Sequence, residues 1–172
     1  MDVDIEVPYK IVSTHFRPEY LPSYASVGAA GMDLHACLET PIKISPGLRI
    51  RVPTGIALQL PRRDLVGLVY ARSGLAWRHG LALPNGVGVI DSDYTGELQI
   101  LLMNYGEESV TISPGDRVAQ IVFAPIQVAI WRPVDEFRET IRGENGFGST
   151  GVSRCTPALP TSYATLKFAR FL

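Results

Sequence analysis

The sequence predicts an all-β domain, an antiparallel sandwich or barrel. Short segments that alternate between apolar and polar residues, or are rich in β-branched residues, recur between turn signals. The chain has 16 glycines and 13 prolines in 172 residues, which favours frequent turns over long helices. Apolar residues make up 46% and charged residues 19%, which excludes disorder along the whole chain. At this length we expect one compact domain.

Seven segments carry the strand pattern. They are residues 7–13, 48–60, 65–71, 97–103, 109–112, 117–123 and 126–131. At the start of the second segment Ile50 and Val52 alternate with arginines, so the two apolar residues are predicted to face a core. Pro-Gly pairs at 46–47 and 114–115 predict tight turns, because Pro presets φ and Gly accepts a positive φ.

Helical signal is confined to residues 73–78 and 134–140. After residue 140 the pattern changes, and residues 142–151 contain four glycines in ten positions without any periodicity. Such a segment has no means of packing a core of its own. We therefore expect a β domain over residues 1–141, a separate glycine-rich segment over 142–151, and a C-terminal extension of unknown role over 152–172.

The charge balance implies that any polyanionic partner must be bound by a local cluster of basic residues and backbone amides. Sixteen basic and 17 acidic residues give a net charge of −1, too little to draw the molecule to nucleic acid or a membrane surface. The acidic N-terminus lacks the pattern of a signal peptide, and no apolar run approaches the ~20 residues that span a bilayer. We expect a cytoplasmic protein with no nucleic-acid or membrane partner.

Cysteines and histidines give no metal or disulfide signal. Cys37 and Cys155 lie far apart and neither has a CxxC partner, so both are expected to be free thiols. His15, His35 and His79 share no spacing typical of metal ligands.

Residues 71–76, Ala-Arg-Ser-Gly-Leu-Ala, stand where a predicted strand gives way to a short helix. Backbone amides and the Arg72 cation can converge there on an anion. The alternative is a helix cap, in which Ser73 caps and Arg72 is solvated. The segment alone does not decide between them.

Residues 85–97 carry two carboxylates and an aromatic residue within four positions, in a glycine-bearing segment predicted to form a hairpin. On an extended strand Asp91 and Asp93 would share a face, one able to act as a base. The alternative is an Asx-rich turn without catalysis. Gln120, inside an apolar strand, predicts either a solvent face or a satisfied buried amide.

The glycine-rich residues 142–151 also contain groups suited to a nucleotide. Arg142, Ser149 and Thr150 are donors for phosphate oxygens, and Phe147 offers a face for a base. The alternative is a plain linker.

Taken together, these segments resemble the trimeric dUTP pyrophosphatase family. The five matching motifs are Ala30-Gly31-Met32-Asp33-Leu34, Ala71-Arg72-Ser73-Gly74-Leu75-Ala76, residues 85–97, Gly115-Asp116-Arg117-Val118-Ala119-Gln120, and residues 142–151. The resemblance implies jelly-roll-like subunits in a homotrimer with active sites shared between chains. It also implies Mg²⁺-assisted hydrolysis of dUTP to dUMP and pyrophosphate, which limits uracil incorporation into DNA and supplies dUMP for thymidylate synthesis.

The resemblance also implies roles for individual residues. Asp91 corresponds to the general base that activates the water attacking the α-phosphorus, and Asp33 to a carboxylate that supports Mg²⁺ through water, the triphosphate supplying the direct ligands. The substrate-contact positions fall on Arg72, Ser73, Gly74, Asn85, Gly88, Val89, Ile90, Tyr94, Gln99, Gln120, Arg142, Phe147, Gly148, Ser149 and Thr150. In the family's terms, residues 85–91 read uracil, Tyr94 packs beneath the deoxyribose, and residues 142–151 form a mobile arm that closes on the nucleotide.

Two rivals remain. A dCTP deaminase of the same fold needs a Glu on the strand after the hairpin, and the corresponding residue, ten positions past Asp91, is Leu101. A non-catalytic regulatory homologue that binds dUTP would have lost the base or the arm, and this chain has both.

Overall fold

Eleven short strands and one short α-helix form the part of the chain that this computed structural model describes, residues 4–145. The strands are β1 (Tyr9–Ile11), β2 (Ser23–Tyr24), β3 (Met32–His35), β4 (Ile42–Ile44), β5 (Arg49–Leu58), β6 (Leu65–Ala71), β7 (Leu81–Ala82), β8 (Gly88–Ile90), β9 (Glu97–Asn104), β10 (Val110–Ile112) and β11 (Arg117–Pro125). The helix α1 (Ser73–His79) follows β6. No helix within these residues has the length and apolar content needed to cross a bilayer.

The strands pair antiparallel in three sheets. Their orders are β1-β5-β9-β7, β10-β4 and β2-β3-β11-β6-β8. Most neighbours, such as β3 and β11, are distant in sequence, which is typical of sandwiches with connections that cross between sheets. The predicted antiparallel all-β class is confirmed.

The core lies between the inward faces of these sheets. On β9 the side chains alternate, and Leu98, Ile100 and Leu102 are each 1% exposed. Their neighbour β5 buries Val52 and half-buries Ile50, while the intervening arginines are exposed, as the alternation predicted. The five-stranded and two-stranded sheets add further aliphatic side chains to the same cluster.

Both predicted Pro-Gly turns are present. Gly47 has φ of 75° and Gly115 has φ of 84°, values that residues with a side chain rarely adopt.

A bulge interrupts the second predicted strand at Gly55. The pairing of β5 with β9 shifts register between Pro53 and Ala57, and Gly55 has φ of 74°. A methyl group on Gly55 would lie 2.6 Å from Sγ of the buried Cys37, so this position accepts only glycine. The strand prediction is therefore correct in extent but missed its break.

A buried asparagine closes the end of β9. The side-chain amide of Asn104 donates to the carbonyls of Ile44 and Glu108 at 2.9 and 2.7 Å, and its Oδ1 accepts from the amide of Gly106 at 2.9 Å. Asn104 is fully buried, so these bonds satisfy a polar group that water does not reach.

The strand predicted over residues 126–131 is wrong. After β11 ends at Pro125 these residues pair with no strand within residues 4–145, although edge strands such as β1 and β8 have a free side. Their large side chains are exposed, Ile130 by 91% and Trp131 by 97%. An unpaired strand has no stable form in water.

The chain divides into two units, Met1–Ile130 and Trp131–Leu172. In the described part of the second unit, residues 131–145, there is no helix, so the helix predicted over 134–140 is wrong. Every residue from 134 to 140 is exposed, and a seven-residue helix without a buried face is too short to be stable. The segment ends in turns, with the amide of Gly143 donating to the carbonyl of Thr140 at 3.1 Å.

Candidate active site

The first site element is the junction between β6 and α1. Arg72 is the N-cap of the helix with extended φ and ψ of −85° and 126°, and Ser73 is the first helical residue. The cap is formed by the backbone: the carbonyl of Arg72 accepts from the amides of Leu75 and Ala76, and no side chain caps. The capping role considered for Ser73 is therefore wrong, and the Ser73 and Gly74 amides belong to the first turn, which lacks intrahelical acceptors.

Arg72 is not simply solvated, contrary to the helix-cap alternative. Its Nε lies 3.0 Å from Oδ1 of Asp33 on β3. The Nη1 of Arg117, at the start of β11, donates to Oδ2 of the same carboxylate at 3.1 Å. The Asp33 side chain is only 14% exposed, so the carboxylate is held between two guanidinium groups and the cluster carries a formal charge of +1.

Gln120 is a satisfied, half-buried amide, the second of the two alternatives left by its position. It pairs with Asp33 across β11 and β3, and its Nε2 donates to the carbonyl of Ala71 at 3.1 Å. A methyl group on Gly31 would lie 3.0 Å from Oε1 of Gln120. Glycine at 31 thus leaves room for the amide beside the cluster.

These groups line one cavity of about 660 Å³. Asp33, Arg72, Ser73, Gly74 and Gln120, all predicted site residues, lie on its wall, as does Arg117. Three guanidinium groups, those of Arg72, Arg78 and Arg117, together with a hydroxyl and an amide form a donor-rich lining with a net positive charge. Such a lining favours an oxyanion such as phosphate.

Residues 85–97 hold the second group of predicted site residues. The sequence predicted a two-stranded hairpin here, and that prediction is wrong. β8 pairs with β6, whereas β9 pairs with β5 and β7, so residues 91–96 cross from one sheet to the other. Asn85 lies exposed in the preceding turn, in which the amide of Gly86 donates to the carbonyl of Leu83 at 3.0 Å.

Asp91 follows β8 directly and is exposed. Its carbonyl accepts from the amide of Tyr94 at 3.2 Å, which closes a turn over Ser92 and Asp93. Asp91 and Asp93 therefore do not share a strand face, and that expectation is wrong. The extended geometry ends at β8 because the chain leaves its sheet there.

Tyr94 and Gln99 both contact Glu97, the first residue of β9. The phenol of Tyr94 donates to the Glu97 carbonyl at 2.8 Å, and Nε2 of Gln99 lies 3.2 Å from Oε2 of Glu97. The other oxygen, Oε1, accepts from the amide of Gly55 at 2.9 Å, at the bulge in β5. Glu97 thus makes hydrogen bonds with Tyr94 in the crossing segment, with Gln99 on β9 and with Gly55 on β5.

The structure brings the predicted residues together in two groups and not one. The cavity lining around Arg72 contains none of Asn85, residues 88–91, Tyr94 or Gln99. Within the part of the chain described, the candidate base and the oxyanion cavity are therefore separate features. Arg142 lies in the second unit, where its Nε donates to the carbonyl of Asn145 at 2.9 Å. Phe147, Gly148, Ser149 and Thr150 lie outside the described residues.

Arg117 and Glu97 are two residues that the sequence reasoning missed. Both lie inside motifs that the sequence analysis recognised, but the sequence does not show which residues they contact. Arg117, for example, contacts Asp33, which lies 84 positions away in the chain. The available signal was the charge of Arg117 at the start of the strand predicted over residues 117–123. An arginine in such a position is more often solvated.

His35 lies two residues beyond Asp33. Its ring stacks on Tyr20 with centroids 6.1 Å apart, and its Nδ1 is buried without a hydrogen-bond partner among residues 4–145. Burial lowers the pKa of His35 below its usual value of 6.5, since removal from water disfavours the charged ring.

The described residues hold no cluster of three or more His, Cys, Asp or Glu side chains placed to bind a metal ion. The carboxylate of Asp33 has about four acceptor positions, of which its two arginine contacts leave some open. That chemistry fits a water molecule on a metal ion carried by phosphates, since Mg²⁺ keeps several waters in such sites.

The described residues thus combine an antiparallel all-β fold with an arginine-lined cavity and an exposed aspartate on a segment that crosses between sheets. The chain belongs to the dUTPase family, whose family model matches residues 18–151.

Individual relatives agree with the family assignment. A deoxyuridine 5'-triphosphate nucleotidohydrolase of Desulfitobacterium hafniense is 51% identical over 133 residues, which are 77% of this chain and 88% of the relative. One from Aeromonas salmonicida is 46% identical over 147 residues, 85% of this chain and 97% of the relative. Among solved structures, the dUTPase of Staphylococcus bacteriophage 80alpha with dUpNHpp has a TM-score of 0.76 at 27% identity, covering 86% of this chain and 99% of that chain.

Proposed function

We propose that this protein hydrolyses dUTP to dUMP and pyrophosphate, as the dUTPase family name implies. The observation that carries the proposal is the donor-lined cavity, whose wall is formed by three of the family-like motifs. By removing dUTP and producing dUMP, the enzyme limits uracil incorporation into DNA and supplies thymidylate synthesis.

Asp91 is the general base. It is exposed at the end of β8, so a water molecule can reach its carboxylate. A carboxylate one water away from the α-phosphorus orients that water and takes its proton as the oxygen attacks. The bond to the pyrophosphate oxygen breaks, and the dUMP that leaves carries the new oxygen.

The segment from Asn85 to Gln99 recognises the nucleoside. The side chain of Asn85 and the backbone of Gly88, Val89 and Ile90 bind the uracil edge, because a short strand end exposes amides and carbonyls to a base. Tyr94 packs beneath the deoxyribose and leaves no space for a 2′-hydroxyl. Gln99 is exposed on β9 and contributes a further substrate contact.

The cavity around Arg72 holds the phosphate chain. Arg72 supplies charge, the backbone at Ser73 and Gly74 supplies first-turn amides, and Gln120 supplies an amide group. Bound Mg²⁺ would neutralise charge on the leaving pyrophosphate, with Asp33 and Gln120 holding its waters. The protein residues in this cavity orient the chain for in-line attack.

Residues 142–151 form the arm that closes over bound nucleotide. Arg142, Gly148, Ser149 and Thr150 contact the phosphates, and Phe147 stacks on uracil. Closure of such a segment excludes bulk water from the reaction. Residues 152–172 are a C-terminal extension to which the proposal assigns no role.

The active protein is a homotrimer with sites shared between chains. Two features support this: the candidate base does not line the phosphate cavity of its own chain, and residues 126–131 expose several large apolar side chains. Exposed apolar side chains in sequence are typical of a surface that a partner covers. We place the enzyme in the cytoplasm, with the nucleotide and not nucleic acid or a membrane as its ligand.

The test is pyrophosphate release from dUTP, dTTP, dCTP and UTP with Mg²⁺, together with ammonia release from dCTP. We expect pyrophosphate from dUTP alone, and none after addition of EDTA. Ammonia from dCTP would move the protein to the deaminase reading. If neither pyrophosphate nor ammonia is released and dUTP still binds tightly, the protein is a regulatory binding protein.

A further inference from the structure

Two independent contacts tie Arg117 to Arg72. Through its side chain, Nη1 of Arg117 donates to Oδ2 of Asp33 at 3.1 Å, and the other oxygen of that carboxylate lies 3.0 Å from Nε of Arg72. Through its main chain, the carbonyl of Arg117 accepts from Nη1 of Arg72 at 3.1 Å.

These contacts hold the Arg72 guanidinium along two sides. Its Nε and Nη1 are engaged, whereas Nη2 makes no hydrogen bond within residues 4–145. Arg72 lines the cavity together with Ser73 and Gly74, and its side chain is 28% exposed. A long side chain ordered before the ligand arrives loses less conformational entropy when it binds.

Arg117 itself lines the cavity, and its side chain is about half exposed, at 51%. Arg78 lines the cavity as well, so the positive charge of the lining does not depend on Arg117 alone. What is specific to Arg117 is its contact with Asp33, the carboxylate that also contacts Arg72.

We propose that Arg117 is a positioning residue for oligophosphate binding: it acts through Asp33 to hold Arg72 with Nη2 free for a phosphate oxygen. The inference rests on the proposed function in taking that phosphate to belong to dUTP. It adds a residue to the site that sequence reasoning did not select.

The test compares the effect of Arg117→Met in two backgrounds. The ligand is inorganic triphosphate in EDTA, so that neither turnover nor metal enters the measurement, and the readout is Kd by calorimetry on the full chain. In the wild-type background we expect Arg117→Met to weaken binding about tenfold, as for loss of a charge-assisted hydrogen bond. In the Asp33→Asn background the same change should alter Kd less than about twofold, since residues that act through one another are not additive.

Two further variants make the result specific. Arg63→Met removes an exposed arginine that does not line the cavity, and we expect it to leave Kd unchanged. Arg117→Lys can still reach a carboxylate and should recover part of the affinity. Thermal unfolding checks that each variant is folded, and Arg117→Lys replaces Arg117→Met in both backgrounds if the latter is not.

Equal losses in the two backgrounds would show that Arg117 contacts phosphate directly and would overturn the inference, as would wild-type protein that does not bind triphosphate. The proposed function is judged separately, by dUTP turnover. A protein that shows the coupling but leaves dUTP intact contradicts the proposed function alone.

Discussion

The phenol of Tyr94 donates a 2.8 Å hydrogen bond to the carbonyl of Glu97, and the ring lies against Gly96 between them. A methyl group on Gly96 would lie 2.6 Å from the phenol oxygen and 2.8 Å from Cζ. The ring therefore keeps its place because residue 96 has no side chain.

Replacing Gly96 by Ala should weaken sugar discrimination. The added methyl group displaces the Tyr94 phenol and breaks its bond to Glu97. In the proposed role of Tyr94, the ring then no longer fills the space of a 2′-hydroxyl. We expect the ratio of kcat/KM for dUTP to that for UTP to fall about tenfold. A tenfold change corresponds to the free energy of about one hydrogen bond. Gly28→Ala, at a position with open space, is the matched control. An unchanged ratio would remove Tyr94 from sugar recognition.

Asp91→Asn should leave binding intact and slow turnover. The amide keeps the size of the side chain but cannot accept a proton, so kcat for dUTP should fall at least about 100-fold with Kd for dUMP unchanged. Asp93→Asn, in the turn two residues on, is the control and should keep its activity. Full activity of Asp91→Asn would rule out the base assignment.

Asn104→Leu should destabilise the fold without altering the site. The substitution leaves two carbonyls and one amide without their side-chain partner in a fully buried place. We expect the free energy of unfolding in urea to fall by about 2–4 kcal/mol. Exposed Gln59→Leu is the control. Stability equal to wild type would mean that this network contributes nothing.

Stability should fall on acidification through His35. The folded-state pKa lies below 6.5, so the unfolded chain binds the proton more readily, and this contribution is complete above pH 6.5 and is lost as the pH falls through the folded-state pKa. Urea unfolding without metal at about pH 7.5 and about pH 5.5 measures the slope. His35→Phe keeps a ring against Tyr20 and should reduce it, and an equal slope in the variant would assign the dependence to other groups.

Truncation should separate the arm from the extension. A chain ending at residue 151 retains Arg142 and the proposed arm and should hydrolyse dUTP at the full-length rate. A chain ending at residue 141 should lose activity, because nothing then closes over the nucleotide. Turnover of dUTP by the two chains, checked for equal thermal stability, decides the matter. Equal rates would refute the arm.

The sequence predicted the longer strands of the core, β5, β6, β9 and β11, because alternating burial can be read from the residues themselves. Ile100 illustrates this, since it is buried between exposed neighbours on a paired strand. It missed the short strands β3 and β4, which bury Leu34 and Ile44. It failed for residues 126–131, where the strand pattern is present but the residues pair with no strand among residues 4–145. Apolar pattern indicates a need for burial, and only the fold shows what is available to satisfy it.

For the site, the sequence determined which side chains are present and, through five motifs, the family to which they belong. It did not determine that Asp33 is held between Arg72 and Arg117, nor that Asp91 stands apart from that cluster. Those relations depend on strands far apart in the chain lying side by side in one sheet and on a segment that crosses between sheets. Local chemistry follows residue type, but the contacts that fix a charged group's position are set by tertiary packing.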